Sequence, residues 1–267
     1  MSINDIVFVF SGLIGYLIAW SEIMGEKKLE GKVAIVTGAG RGIGRGIAEF
    51  FAENGATVVI TARTESQVET VRAKICKMGG QVLALTGDIT DEAFVDRLFE
   101  ATVLEFDKLD ILINNAGIYP FGPVDQMPIA DFRECLEVNV VAVFNCIQHA
   151  VRIMKAQGGT GKIINIGSVR SHWTEGGDAG AYNASKYGLK GLTESVAREL
   201  HGSGLNIAVG MMCPGCVHLK YAETDETPEP GELTPRMIAE GVLHAVTAPA
   251  GINVYDTTIF PMYQKPW

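Results

Sequence analysis

A tyrosine and a lysine four residues apart, Tyr182 and Lys186, form the pair in this sequence best suited to proton transfer. Residues at positions i and i+4 lie on one face of a helix, about one turn apart. A phenol titrates near ~10, and a neighbouring ammonium lowers that pKa because it favours the phenolate. The pair therefore predicts a tyrosine that serves as a general acid or base, with its pKa lowered by the lysine.

The residues around this pair indicate how it is positioned. Apolar residues recur at steps of three and four after Tyr182, which predicts a long helix: Leu189, Leu192, Val196, Ala197 and Leu200. Upstream, the apolar run 163–166 predicts a buried strand that ends at Gly167-Ser168. A serine at the end of a strand is able to present its hydroxyl to the same cavity as the tyrosine, so we expect Ser168 to join the pair.

A glycine-rich turn follows the first predicted strand, residues 33–37, and precedes a helix predicted from about residue 45 to 53. Its glycines are Gly38, Gly42 and Gly44. Glycines let the backbone turn tightly and approach a pyrophosphate, which the helix N-terminus stabilises. The turn therefore predicts a dinucleotide-binding site.

The end of the second predicted strand, residues 57–61, indicates which dinucleotide is bound. An NAD site has an acidic residue about 20 positions beyond the glycine turn, where it accepts hydrogen bonds from the ribose hydroxyls. Here that place is taken by Ala62, followed by Arg63. Alanine leaves room for a 2′-phosphate, and the guanidinium groups of Arg63 and Arg41 are able to bind it. The sequence predicts NADP(H) as the cofactor.

Short apolar strands alternate with helical patterns along the chain. Such alternation produces right-handed βαβ units and a parallel sheet. We therefore predict an α/β protein, a Rossmann-type doubly wound, mostly parallel sheet with helices on both faces. The further predicted strands are 82–86, 111–114, 207–211 and 257–260, and the further helices are 66–78, 92–105, 131–156, 182–201 and 234–246.

Composition limits the class of protein. The chain has 267 residues, of which 47% are hydrophobic and 20% charged, enough for one large core. A net charge of −9 argues against nucleic acid as a partner. Five scattered cysteines favour a reducing compartment over a disulfide framework, and no group of residues has the spacing of a metal site. We predict one catalytic domain, residues 29–267.

Residues 1–28 form a separate hydrophobic segment. The stretch 6–20 carries no charge but is shorter than the ~20 residues that span a bilayer comfortably. Lys27 and Lys28 follow it, so a membrane-associated segment would leave the catalytic part facing the cytoplasm. Three interpretations stay open: association with a membrane, a helix packed against another protomer, and a poorly ordered extension.

Taken together, the motifs resemble those of the short-chain dehydrogenase/reductase family over about residues 30–262. The matching residues are Thr37, Gly38, Gly42, Ile43, Gly44, Asp88, Ile89, Thr90, Asn114, Asn115, Ala116, Gly117, Asn139, Ser168, Tyr182, Lys186, Pro214 and Gly215. The resemblance implies that Tyr182 is the catalytic acid or base, and that Lys186 lowers its pKa and binds the nicotinamide ribose. It also implies that Ser168 orients the substrate carbonyl and that Asn139 holds a water in a proton relay. From the residues alone, Asn139 could equally bond nearby backbone.

The resemblance also implies a cofactor site, a type of substrate and an assembly. It places the chain with NADP(H)-preferring members that act on a small carbonyl or secondary alcohol substrate. It suggests a homodimer or homotetramer in which the helices 131–156 and 182–201 pair. Apolar residues on more than one face of the first helix agree with this: Val140, Val141, Val143 and Phe144. The implied cofactor-binding residues are Gly38, Arg41, Gly42, Ile43, Gly44, Arg63, Asp88, Ile89, Asn115, Tyr182, Lys186, Pro214, Gly215 and Val217.

The sequence departs from the family pattern after Pro214-Gly215. Members of the family carry a threonine where this chain has Leu219, so cofactor orientation would depend on backbone groups or on Thr224. His172 and Trp173, between Ser168 and Tyr182, would contact substrate or pack on their own loop. The stretch 252–261 is similar to that of 3-hydroxy-acid and serine dehydrogenases of the family.

Three functions are compatible with these residues. The first is an NADP(H)-dependent carbonyl reductase or alcohol dehydrogenase. The second is a catalytically silent protein that senses NADPH, although the presence of Ser168, Tyr182 and Lys186 argues against it. The third is an epimerase or dehydratase on the same fold.

Overall fold

One seven-stranded parallel sheet forms the centre of the protein. The structure is a computed structural model that describes residues 27–174, 177–219 and 231–264. The strand order is β3-β2-β1-β4-β5-β6-β7. The strands are β1 (Val33–Thr37), β2 (Thr57–Ala62), β3 (Val82–Thr86), β4 (Ile111–Asn114), β5 (Thr160–Ile166), β6 (Asn206–Pro214) and β7 (Asp256–Ile259). The predicted fold class is confirmed.

Helices cover both faces of this sheet. They are α1 (Gly42–Glu53), α2 (Glu65–Lys77), α3 (Glu92–Phe106), α4 (Ile129–Leu136), α5 (Ala142–Ala156), α6 (Gly180–Gly202) and α7 (Pro235–Val246). Strand β1 shows why two cores form, since successive side chains of a strand point to opposite faces. Ala34 and Val36 pack in one core with α1, α2 and α7, whereas Val33 and Ile35 pack in the other with α3, α5 and α6.

The strand order creates a crevice at one edge of the sheet. The chain passes from β1 outward to β2 and β3, then returns to pair β4 with the other side of β1. In open α/β sheets, ligands bind at the carboxyl ends of the strands where the order reverses in this way. The glycine turn after β1 and the residues after β4 and β5 all reach this edge.

The glycine turn depends on the absence of side chains at two positions. Gly38 has φ of +64°, and a Cβ there would lie 2.7 Å from the Cα of Ala116. A Cβ on Gly44 would clash with the carbonyl oxygen of Gly38. Helix α1 begins at Gly42, three residues before the predicted start, because the last glycines of the motif already belong to its first turn.

The predicted helix 131–156 is wrong as one continuous helix. Helix α4 ends at Leu136, a π-helical turn spans Glu137–Val141, and α5 continues from Ala142. π-Helical turns insert an extra residue in the helix and recur at functional sites. Apolar periodicity does not reveal such an insertion, because the pattern on either side remains helical. This turn contains Asn139.

Apolar residues lie on more than one face of the helical region that contains α5, as the sequence suggested. Val143 is buried in the core, whereas Val141 and Phe144 are exposed, as is Tyr187 on α6. These exposed residues are compatible with pairing between protomers, and the homodimer or homotetramer stays a prediction.

The N-terminal hydrophobic segment, residues 6–20, lies outside the described residues, as does Thr224. Among the residues that are described, none of the helices has the length and apolar character needed to cross a bilayer. The division into a segment 1–28 and a catalytic domain 29–267 stays a prediction.

Candidate active site

Helix α6 carries Tyr182 and Lys186 on one face, as predicted. The Nζ of Lys186 lies 5.5 Å from the centroid of the Tyr182 ring, and it donates a 2.8 Å hydrogen bond to the carbonyl oxygen of Ile166. Lys186 is buried. A buried ammonium is costly unless it finds acceptors, so the carbonyl at the end of β5 holds the lysine at the crevice.

Ser168 reaches the same place from the end of β5. It caps a short 3₁₀ helix, Val169–Ser171, in which its hydroxyl accepts from the backbone N–H of Arg170 at 3.2 Å. The Ser168 side chain also lies close enough to Tyr182 to lower the pKa of the phenol. The structure thus brings together Ser168, Tyr182 and Lys186, the three residues predicted to act on a carbonyl.

The predicted lowering of the tyrosine pKa is wrong for the protein by itself. Burial raises the pKa of Tyr182 above its ordinary value and outweighs the nearby Ser168 side chain and the charge of Arg170. Burial also lowers the pKa of Lys186 to about 8. Both shifts have one cause, since a site shielded from water disfavours the charged form of each group. Near neutral pH, Tyr182 is therefore a protonated phenol, which suits a proton donor.

The side chain of Asn139 forms hydrogen bonds with the backbone of Ile118. Its Oδ1 accepts from the N–H of Ile118 at 2.9 Å, and its Nδ2 donates to the carbonyl oxygen of Ile118 and to the Ser185 hydroxyl, both at 2.9 Å. These contacts favour the structural interpretation of Asn139 over a side chain that holds a water. The π-helical turn gives the amide its place between the segment after β4 and helix α6.

Replacing Asn139 with alanine should lower the free energy of unfolding by about 2–3 kcal/mol, because it leaves the half-buried amide of Ile118 without partners. Turnover should fall as well, since Ile118 lines the cleft beside Tyr182. Denaturant unfolding gives the first quantity. The matched control is Asn145→Ala, on the neighbouring helix α5, which should unfold like the parent. Equal stability of the two variants would contradict the structural role.

A cleft of about 530 Å³ extends from the glycine turn to Tyr182 and Lys186. Helix α1 points its N-terminus at this cleft; no side chain caps it, and its first turn contains no acidic residue. Its free N–H groups and positive dipole end are therefore available to a pyrophosphate. This donor set fits a dinucleotide, with Gly38, Gly42 and Ile43 at the phosphates.

Thr37 and Asn115 join the two strands that flank the crevice. The hydroxyl of Thr37 accepts from the N–H groups of Asn115 and Ala116 at 3.0 and 3.1 Å. The amide of Asn115 donates to the carbonyl oxygens of Thr37 and Gly38 at 2.9 and 3.2 Å. Asn115 therefore fixes the shape of the glycine turn and also lines the cleft.

The far end of the cleft is positively charged. Arg41, Ala62 and Arg63 line it, and both arginines are exposed. Asp88 lines it too, and its carboxylate lies 3.8 Å from the guanidinium of Arg63, a long ion pair at the surface. Such pairs contribute little, about 0–1 kcal/mol, so Arg63 remains able to bind a phosphate.

The structure separates the predicted cofactor residues into two groups. Within the described part of the chain, the lining of the cleft includes Gly38, Arg41, Gly42, Ile43, Arg63, Asp88, Ile89, Asn115, Tyr182 and Lys186. It does not include Gly44, Pro214, Gly215 or Val217, nor the predicted catalytic residues Asn139 and Ser168. Pro214 ends β6 and Val217 forms a bridge with Leu233, so these residues shape the base of the loop rather than the wall of the cleft.

Two residues gain a place in the site that the motifs did not assign. Tyr119 lies edge-on to the Tyr182 ring, with centroids 4.4 Å apart, and lines the cleft. Leu219 lies across the cleft from the glycine turn, where its Cδ2 would be 3.3 Å from a Cβ on Gly42. No motif signals this contact, because it depends on the path of the loop after β6.

Comparisons with known proteins agree with this geometry. A family model described as short chain dehydrogenase matches residues 32–229. An uncharacterized oxidoreductase of Thermotoga maritima is 38% identical over 215 residues, covering 78% of this chain and 81% of the relative. The 3-oxoacyl-[acyl-carrier-protein] reductase FabG of Escherichia coli is 38% identical over 198 residues, covering 74% and 76%.

Among solved structures, a metagenomic short-chain oxidoreductase in complex with NADP is similar. It is 30% identical, with a TM-score of 0.77, and the match covers 89% of this chain and all of the other. The family match spans well over half of the chain and includes the glycine turn, Ser168, Tyr182 and Lys186. This chain belongs to the short-chain dehydrogenase/reductase family, a family of oxidoreductases.

Proposed function

We propose that this protein is an NADP(H)-dependent oxidoreductase that transfers a hydride between the nicotinamide and a carbonyl or secondary alcohol substrate. The observation that carries the proposal is the convergence of Ser168 with Tyr182 and Lys186, two residues that line a dinucleotide-sized cleft. A silent sensor of NADPH needs the cleft but has no use for a buried proton donor. The three residues therefore favour the enzyme.

The cofactor, when bound, supplies or accepts the hydride, and the residues of this chain hold it and move the proton. The N-terminus of α1 would hold the pyrophosphate, and Asp88 and Ile89 would lie at the adenine end. Lys186 is placed to donate to the ribose near Tyr182. Tyr119 would form one wall of the site where the substrate carbonyl meets Tyr182.

In the reducing direction, Tyr182 donates its proton to the substrate oxygen as negative charge develops there. Ser168 then orients that oxygen by a hydrogen bond. The phenolate that results lies near the Lys186 ammonium, which stabilises it by charge. In the oxidising direction the same groups act in reverse, with the Tyr182 phenolate as the base.

NADP(H) is proposed over NAD(H) because two arginines, Arg41 and Arg63, line the adenosine end of the cleft, where the 2′-phosphate of NADP(H) would lie. Arg41 approaches from the glycine turn and Arg63 from the end of β2. The last residue of that strand is Ala62, where an NAD site would have an acidic residue. The metagenomic relative whose structure contains NADP supports the same choice.

The rates of reduction and oxidation should respond to pH in opposite directions. Lys186, with a pKa of about 8, is charged below that pH and loses its charge above it. The kcat/KM for a carbonyl should therefore be constant near neutral pH and fall above pH 8, as the phenolate loses its stabilising ammonium. The pKa of Tyr182 is raised, so the phenolate needed for oxidation accumulates as pH rises.

Initial rates in both directions across this pH range check that expectation, with saturating cofactor. Reduction that accelerates through pH 8 would contradict the roles given to Lys186 and Tyr182.

The proposed function is tested by the oxidation of NADPH in the presence of single carbonyl compounds. The panel should contain simple ketones, β-keto acids, 3-oxoacyl thioesters, quinones and steroids. Turnover with one class, and its loss in Ser168→Ala, would support a reductase. Tight NADPH binding without turnover in any class would favour the sensor. Conversion of a substrate with no net change in NADPH would favour an epimerase or dehydratase.

A further inference from the structure

A second contact joins the Ser168 loop to helix α6, beyond the catalytic residues themselves. His172 follows the 3₁₀ helix that Ser168 caps, and its Nδ1 lies 2.8 Å from the Nζ of Lys190. Lys190 is four residues beyond Lys186 and eight beyond Tyr182, so all three share one face of α6. The Ser168 loop and helix α6 are therefore in contact at two places, at Ser168 with Tyr182 and at His172 with Lys190.

Strand β7 supplies the third member of this group. The Nε2 of His172 lies 3.1 Å from Oδ1 of Asp256, which begins β7. An ammonium only donates, so Nδ1 of His172 must accept from Lys190. The ring proton is then on Nε2, where it is donated to Asp256. The side chains of His172 and Asp256 are 18% and 22% exposed, so these contacts lie at the surface but are partly covered.

Strands β6 and β7 both meet the Ser168 loop directly behind Ser168. The thiol of Cys213 in β6 lies 3.9 Å from Oδ1 of Asp256, and the backbone of Ser168 and the side chain of Ser171 are near enough to lower the pKa of this thiol. Ser171 in turn accepts from the N–H of Ser168 at 3.3 Å. A displacement of Asp256 or His172 is therefore transmitted to Ser171 and, through it, to Ser168.

His172, Cys213 and Asp256 are also donors of the kinds that bind zinc, and their ligand atoms lie within 4.8 Å of one another. Lys190 argues against that use. A metal on Nε2 would require the ring proton on Nδ1, where it would face the ammonium of Lys190 at 2.8 Å. The arrangement suits a chain of hydrogen bonds better than a metal site.

We propose that Lys190, His172 and Asp256 form a positioning unit that holds the Ser168 hydroxyl beside Tyr182. The unit does not touch the reacting atoms and acts through Ser168. Its effect on turnover rests on the proposed function, whereas its effect on the Ser168–Tyr182 contact does not. Displacement of a reacting group by about 1 Å costs up to ~10²-fold in rate, so a unit that fixes the position of Ser168 has a measurable effect on turnover.

The test is a double-mutant cycle between His172→Gln and Ser168→Ala, with two readouts. In the parent background, His172→Gln should lower kcat roughly tenfold to a hundredfold and leave the KM for NADPH nearly unchanged. In the Ser168→Ala background, it should have little further effect, because the hydroxyl that it positions is gone. Lys190→Met should behave like His172→Gln, and Lys190→Arg should recover most of the activity.

The second readout needs no turnover. The pKa of Tyr182 is followed by NMR of ¹³Cζ-labelled tyrosine, assigned with Tyr182→Phe. Because the Ser168 side chain lowers this pKa, both His172→Gln and Ser168→Ala should raise it, and the double variant should raise it no further. The matched control is Lys74→Met, a surface lysine on α2 paired with Glu49, which should change neither readout.

The outcomes separate the two proposals. If His172→Gln lowers kcat by the same factor with and without Ser168, or leaves the pKa of Tyr182 at its parent value, the positioning unit is wrong and the oxidoreductase stands. If the parent protein shows no turnover while His172→Gln shifts the tyrosine pKa as Ser168→Ala does, the positioning unit stands and the proposed function fails. Unfolding temperatures of all variants show whether any loss reflects misfolding.

Discussion

Tyr182→Phe should lower kcat at least ~10²-fold, the usual scale of acid–base assistance, and leave NADPH binding nearly intact. The substitution removes the proton donor alone. The ring keeps its edge-on contact with Tyr119 and its place 5.5 Å from the Lys186 ammonium, so the shape of the cleft is preserved. Binding of NADPH, followed by fluorescence, separates the loss of chemistry from a loss of cofactor.

Tyr187→Phe is the matched control for this variant. Tyr187 lies on the same helix, five residues further along, and is exposed. It should turn over like the parent enzyme. Near-normal turnover in Tyr182→Phe would remove Tyr182 from the mechanism, and an equal loss in both variants would indicate a general disturbance of α6.

Combining Ala62→Asp with Arg63→Gln should reverse the preference between NADPH and NADH. Loss of a charge-assisted contact costs ~1.5–3 kcal/mol, so kcat/KM for NADPH should fall by at least about tenfold from Arg63 alone. The new carboxylate repels the 2′-phosphate and accepts hydrogen bonds from the ribose hydroxyls of NADH. The ratio of kcat/KM values for the two cofactors, at fixed salt concentration, measures the change.

Arg72→Gln is the control for the loss of a surface charge. Arg72 lies on α2 and pairs with Glu69, away from the lining of the cleft. Its removal should leave the cofactor ratio unchanged. If the parent enzyme uses NADH and NADPH equally well, the assignment of Arg41 and Arg63 to the 2′-phosphate is wrong.

The positions of the strands along the chain and their parallel arrangement could be predicted because a parallel sheet buried on both faces leaves a strong signal. Each strand is a short apolar run, such as 111–114, and each is bounded by a helix or a turn. Helix boundaries were less predictable. The start of α1 at Gly42 depends on backbone conformations that only glycines make accessible, and the π-helical turn at 137–141 leaves no mark in the spacing of apolar residues.

The residues of the site could be predicted from motifs, but their electrostatics could not. The spacing of Tyr182 and Lys186 shows that they are neighbours, yet it does not show that both are shielded from water, which reverses the expected shift of the tyrosine pKa. The contacts of His172 with Lys190 and Asp256 join residues 18 and 84 positions apart. Such contacts follow from the order of strands and helices and have no local pattern.

The burial of Lys186 has a consequence for the stability of the fold. Its pKa falls from 10.5 to about 8, so the folded state releases a proton that the unfolded chain retains between those two pH values. The free energy of unfolding therefore rises with pH through this window, and at neutral pH the buried ammonium costs the folded state roughly 3 kcal/mol. Domains are typically stable by only about 5–15 kcal/mol, so this is a large share. The burial that suits Lys186 to its proposed role therefore comes at the expense of thermal stability near neutral pH.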